Sequence, residues 1–80
     1  MPSLSHAERR AKLRRLAEIE ECDSTAQLIA RSAHDSVVPA ICTNAGCDYV
    51  DGMEPDQERG WCEVCRANTV ASALILAGFI

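Results

Sequence analysis

Aromatic residues are nearly absent from this chain of 80, which has only Tyr49, Trp61 and Phe79. A chain of this size buries about 60–65% of the surface its unfolded form exposes. With so few large core-formers a purely hydrophobic core is marginal, and a staple of some kind is expected. Long apolar runs are missing too. The longest, Val70 to Ile80, is broken by Ser72 and Gly78, and a membrane span needs about 20 residues. That stretch reads as a buried helix or a subunit interface, with no membrane partner. Met1-Pro2-Ser3-Leu4-Ser5-His6 leads into charged residues with no apolar signal region and no acid-free transit segment, which predicts a cytoplasmic chain. Cations are scarce, 8 against 12 acidic residues for a net charge of −4, which argues against wholesale polyanion binding. No G-x-S-x-G, no phosphate-cradling glycine loop, no internal repeat and no low-complexity segment occurs, and the two histidines are isolated. No enzyme is expected.

Cysteine is what the chain has in plenty. Five is an odd number, so any disulfide scheme leaves a thiol over, and an unexported chain sits where disulfides are rare. Cys42 and Cys47 form a C-x4-C pair, and Cys62 and Cys65 form a C-x2-C pair fourteen residues further on. Two such knuckles a hairpin apart are what a tetrahedral metal site needs, each supplying two sulfurs at about 2.3 Å from the ion. Gly46 lets the backbone turn so that amides can face sulfur and offset thiolate charge. The ligand set is therefore Cys42, Cys47, Cys62 and Cys65, with one structural zinc ion as cofactor, or iron in a rubredoxin-like site. Disulfides or free thiols are the plainer alternative. A dithiol redox role for Cys62-Glu-Val-Cys65 lacks the βαβ context that such motifs have. Four thiolates close the site, so no position is open to make a hydroxide nucleophile.

Ile41-Cys42-Thr43-Asn44, Gly46-Cys47-Asp48-Tyr49, Glu54-Pro55-Asp56-Gln57 and Gly60-Trp61-Cys62-Glu63 make residues 40–80 resemble a zinc ribbon, similar to small uncharacterised zinc-ribbon proteins of bacteria and their phages. The resemblance implies a structural metal on the four cysteines and a role in protein or nucleic-acid contact. Arg66 departs from it, since such knuckles usually carry glycine after the second cysteine.

The rest of the chain falls into zones. Residues 4–21 read as a helix, with Ser5 and Glu8 as a capping box and Leu13, Leu16, Ala17 and Ile19 as its apolar stripe. Arg9, Arg10, Lys12, Arg14 and Arg15 precede Glu18, Glu20 and Glu21, an order that opposes the helix dipole. A second helix is predicted over about 24–34, opened by Ser24 with Gln27 and ended before Pro39. The short connection at Cys22-Asp23 predicts an antiparallel helical hairpin. Asp48-Tyr49-Val50 and Arg59-Gly60-Trp61 read as short strands paired across the polar segment 51–58. Asn68 is a candidate N-cap for a helix running to about Ile80. The predicted fold is thus a small α+β domain: an N-terminal helical region over 1–38, then a four-cysteine zinc ribbon with a short β-hairpin and a C-terminal α-helix over 39–80, compact as one unit.

Several residues carry competing readings. The basic run Arg9 to Arg15 is either a phosphate grip for nucleic acid or a solvated face for an acidic partner. Asp48, Asp51, Glu54, Asp56 and Glu58 are too irregularly spaced for a Ca²⁺ loop. Glu54, Asp56 and Glu58 are instead candidates for contact with a basic protein partner. Cys22 reads as a half-buried thiol, or else a fifth ligand or redox sensor, and His6 and His34 as solvated helix-end residues, or else substitute metal ligands. Trp61 is expected to lid the metal site. Leu74-Ile75-Leu76 with Phe79-Ile80 either packs on the first two helices or forms a homodimer surface. Together these features predict a non-enzymatic zinc-binding adaptor or regulator that works through protein contact. A nucleic-acid-binding ribbon and a redox protein are the alternatives.

Overall fold

The structure, a computed structural model, describes residues 4–79. It is an α+β arrangement with the order α1 (His6–Ile19), α2 (Thr25–Ser32), β1 (Val38–Cys42), β2 (Val50–Met53), β3 (Gly60–Cys62), β4 (Ala67–Ser72) and α3 (Ala73–Leu76).

The capping box at α1 forms: the Glu8 amide donates to Ser5 Oγ at 3.1 Å, and the Ser5 amide donates to Glu8 Oε1 at 2.9 Å. The helix closes at Glu20 with Glu21 in the left-handed region at φ 58°. There the Cys22 amide donates to the Ala17 carbonyl at 2.8 Å and the Glu21 amide to Glu18 at 3.1 Å. This is the reciprocal closure usually built on glycine, here built on glutamate. Ser24 caps α2 by accepting from the Gln27 amide at 3.1 Å.

The four strands form one sheet in the order β2-β1-β4-β3, every neighbouring pair antiparallel. The strands expected at 48–50 and 59–61 are therefore not paired with each other but lie on opposite edges. The hairpins run across the cysteine knuckles instead, β1 into β2 around the first and β3 into β4 around the second. The acidic segment between Met53 and Gly60 is a crossover between the two hairpins. It is tied down where β4 ends, because the Ser72 amide donates to the Gln57 carbonyl at 3.0 Å and the Ser72 hydroxyl donates to the Pro55 carbonyl. Central strand β1 begins at a segment read only as a helix stop. Pro39 fits there because, by the alternation of the ladder, its missing N–H would point toward residue 73, where β4 has already given way to helix.

The helix expected from Thr69 to Ile80 is a further correction. Residues 67–72 are strand, and only Ala73–Leu76 turns helical, capped by Ser72, whose hydroxyl accepts from the Ile75 amide at 3.2 Å. Ile80 lies outside the described residues. Thr69 to Leu76 are all buried, and a buried strand and a buried helix show the same unbroken apolar pattern. Pairing on both sides decides for strand.

Alternate residues of β1 and β4 feed two cores. Ile41 and Ala71 face Leu13, Leu16, Ala17 and Leu28 of the helices, with Ala73, Ile75 and Leu76. Ala40, Cys42 and Val70 face the other way with Cys62, joined by Cys47, Tyr49, Met53 and Cys65. The four paired cysteines thus occupy the sheet face opposite the helices.

Candidate metal centre

The four cysteines predicted as ligands converge. The sulfurs of Cys42, Cys47, Cys62 and Cys65 all lie within 4.8 Å of one another. The Cys42–Cys65 and Cys47–Cys62 sulfurs are each 3.8 Å apart. A tetrahedron with arms of about 2.3 Å has edges of about 3.8 Å, and a disulfide would need about 2.05 Å. All five cysteines are free thiols, and the four in the cluster could hold one metal ion.

Local structure explains the convergence. Cys42 ends β1 and Cys62 ends β3, both fully buried, and each knuckle then folds back over its own hairpin. In the first knuckle Gly46 takes φ 80°, and the Cys47 amide donates to Asn44 at 3.2 Å. In the second, the Cys65 amide donates to the Cys62 sulfur at 3.3 Å and the Arg66 amide to the Cys62 carbonyl at 2.8 Å. Arg66 adopts φ 53°, the left-handed turn for which glycine is usual. The departure at this position is thus absorbed by backbone strain rather than by a different turn.

The ring of sulfurs is electrostatically uneven. On Cys47 the Tyr49 amide is the largest single influence and favours the thiolate, but burial and the three neighbouring thiols together push its pKa up to about 12. On Cys62 burial is the largest influence and opposes ionisation. Hydrogen bonds from the Cys65 amide, the Cys42 thiol and the Val64 amide nevertheless bring its pKa down to about 7. Four thiols this close cannot all ionise without a cation among them, and a bound dication would displace the remaining protons.

Residues not anticipated as part of the site support it. The Thr69 hydroxyl and the Cys42 sulfur share a hydrogen bond at 3.1 Å, and Thr43 Oγ1 donates to the Thr69 carbonyl at 2.7 Å. From α1, the Lys12 ammonium donates to the Cys47 carbonyl at 2.6 Å, and Arg15 Nε reaches Asp48 Oδ2 at 3.1 Å. One helix turn of cations therefore grips the first knuckle. The spacing of Lys12 and Arg15 on one helix face was visible in the sequence, but their partner was not. Of the basic run, Arg10 and Arg14 are exposed and Arg9 is half-buried.

Glu54, Asp56 and Glu58 are exposed on the crossover. Trp61 does not lid the metal centre fully: it is 49% exposed, and Val64 at the tip of the second knuckle is 71% exposed. Cys22 stands outside the cluster, half-buried against the helical core, with Arg31 Nη1 donating to its sulfur at 3.0 Å. His6 and His34 are exposed and also outside it. Among the described residues no helix is long and apolar enough to cross a membrane. The fold and site define a small α+β protein with a four-cysteine centre able to hold one metal. Comparison of the chain with protein-family models, curated proteins and solved structures yields no match.

Proposed function

We propose that this chain is a non-enzymatic zinc-binding adaptor or regulatory protein that acts through protein–protein contact, with one structural zinc on Cys42, Cys47, Cys62 and Cys65. The observation that carries the reading is the closed set of four sulfurs, within 4.8 Å of one another and with two edges at 3.8 Å. Soft thiolates select zinc over harder ions, and four protein ligands leave no coordination position for water. The ion would pin the β1–β2 hairpin to the β3–β4 hairpin, supplying cross-linking that a chain with three aromatic residues lacks. Free thiols in a metal site fit a reducing compartment such as the cytoplasm.

Contact surfaces are at hand for such a role. Glu54, Asp56 and Glu58 project from an anchored crossover, and Trp61 and Val64 expose apolar surface beside the metal centre. A nucleic-acid role for the basic helix has less to work with, because Lys12 and Arg15 are engaged by the first knuckle.

Native mass spectrometry of protein purified without added metal, beside Cys62→Ser, tests the metal. The expected result is near one zinc per chain, lost in the variant. Iron in its place moves the thiols to redox chemistry, and no metal removes the reading. A pull-down that recovers a partner with the parent chain, but not with Glu54→Lys/Asp56→Lys, supports the adaptor role. Nucleic-acid binding with a steep salt slope that Arg10→Glu/Arg14→Glu abolishes would replace it.

A further inference from the structure

On the helical side of the molecule, away from the metal centre, α1, α2 and α3 leave an apolar groove of about 680 Å³ between them. Its floor and walls include Leu13, Ile29, Leu76 and Phe79. Phe79, one of three aromatic residues in the chain, is 69% exposed there. Along α2 the groove wall is Ala26, Ile29, Ala30 and Ala33, a stripe at three- and four-residue spacing in which Ile29 packs partly on the helical core and the three alanines are exposed. This is a second apolar face on a helix whose first face, at Leu28, is already buried.

The polar rim carries one sign of charge. Among the described residues, His6, Arg10 and Arg14 line the groove and the two clefts adjoining it, and no carboxylate lines any of the three. In a chain with 12 acidic residues and 8 basic ones, such an all-basic rim is a local feature that the composition does not predict. Arg10 and Arg14 lie one turn apart on α1, and among the described residues neither meets a carboxylate. Lys12 and Arg15, on the other flank of the same helix, are the cations spent on the knuckle.

We infer that this groove is a docking site for an acidic amphipathic helix of a partner protein, an inference that rests on the adaptor reading above and names its surface. The groove walls are helices, which satisfy their own backbone groups and offer no ladder to an extended strand. A bound segment must likewise satisfy its own backbone, which favours a helix laid in the groove with apolar anchors at i, i+3 or i+4, and i+7. Carboxylates three or four residues apart on one flank would meet Arg10 and Arg14. The acidic crossover of a second copy is not such a segment, because Glu54 to Glu58 has no large apolar side chain to place in the groove and the nearby Met53 is already packed against the metal-side core.

The test is a displayed library of helical peptides of about four turns, apolar on one face and randomised among charged and polar residues elsewhere, panned against the full chain as purified with its metal. Enriched peptides are expected to carry paired carboxylates on one flank. Their affinity should fall about tenfold in Arg10→Glu/Arg14→Glu and also in Ala30→Glu, and hold in Glu54→Lys/Asp56→Lys. Failure to enrich, enrichment without carboxylates, or indifference to those groove variants overturns the inference. So does a concentration-dependent dimer in sedimentation that Ala30→Glu abolishes, since the occupant is then a second copy. An oligonucleotide that competes for Arg10 and Arg14 overturns it as well. If the groove fails while zinc is stoichiometric and the pull-down still depends on Glu54 and Asp56, the adaptor reading stands without it. If the chain holds no metal, the adaptor reading falls whatever the peptides do.

Discussion

Arg66 shows how one residue can sit against its own preference. A non-glycine residue at φ 53° is disfavoured by about 1–2 kcal/mol relative to a right-handed conformation. Glycine removes that strain but gains freedom in the unfolded chain worth about 0.4–1 kcal/mol. Arg66→Gly should therefore be neutral to slightly stabilising, whereas Arg66→Val, β-branched in the same turn, should destabilise by about 1–2 kcal/mol. Denaturant midpoints of the two variants check the order, and equal loss in both would show that the turn does not hold the strain. Gly60 is constrained by a neighbour instead. A Cβ there would lie 1.6 Å from Met53 Cε and 3.3 Å from Val70 Cβ. Gly60→Ala should cost about 1–3 kcal/mol by overpacking. Met53→Ala in the same chain should recover part of that loss, a coupling that a double-mutant cycle reads directly.

At the scale of elements, α1 does two jobs, one at its N-terminus and one in its middle. Its N-terminus is closed by the Ser5–Glu8 box, in which the backbone and side-chain hydrogen bonds of Ser5 hold the Glu8 carboxyl below its ordinary pKa. A carboxylate with a depressed folded-state pKa stabilises the fold above its ordinary value near 4.5, and that stability is lost as pH falls through the depressed one. The difference in melting temperature between the parent chain and Glu8→Ala should thus be full at neutral pH and shrink on acidification. A difference independent of pH would assign the cap to geometry alone. In its middle, α1 braces the first knuckle through Lys12 and Arg15. Partners that orient ligands typically contribute 10–100-fold in metal affinity. Lys12→Met/Arg15→Met should weaken zinc binding by about tenfold in competition with a chromophoric chelator. An unchanged affinity would make the brace a matter of packing.

For the whole molecule, the metal centre and the helical core sit on opposite faces of one sheet, and β1 and β4 serve both. Structural zinc sites contribute on the order of 10 kcal/mol to the folding of small domains, comparable to the whole stability of a chain this size, roughly 4–12 kcal/mol. A chelator in excess should therefore unfold the sheet and release the helices with it, seen as joint loss of strand and helix signal in far-ultraviolet circular dichroism. Retention of the helices after zinc removal would show that α1, α2 and α3 hold together without the sheet. Re-addition of zinc should restore both.

The elements differ in how far they were legible from sequence alone. Capping chemistry and apolar spacing are local, so α1 and α2 could be placed from Ser5, Glu8, Ser24 and Gln27 without reference to anything distant. The clustering of Cys42, Cys47, Cys62 and Cys65 was equally legible, because two cysteine pairs in a short window have few other uses, and the four sulfurs do converge. Pairing was not legible. Whether Val50 meets Trp61 or Ile41 depends on which loop is the turn, and the knuckles, not the acidic segment, proved to be the turns. Residues 69–76 could be strand or helix by pattern, and β1 and β3 on either side decided for strand as far as Ser72. The partners of Lys12 and Arg15 were hidden for the same reason, since they lie 35 and 33 residues away. Short-range hydrogen bonds and metal-ligand chemistry are written into neighbouring residues. Which strands pair, which face of the sheet each cysteine takes, and which cations remain free for a partner are settled only when distant segments compete for the same backbone and side-chain groups.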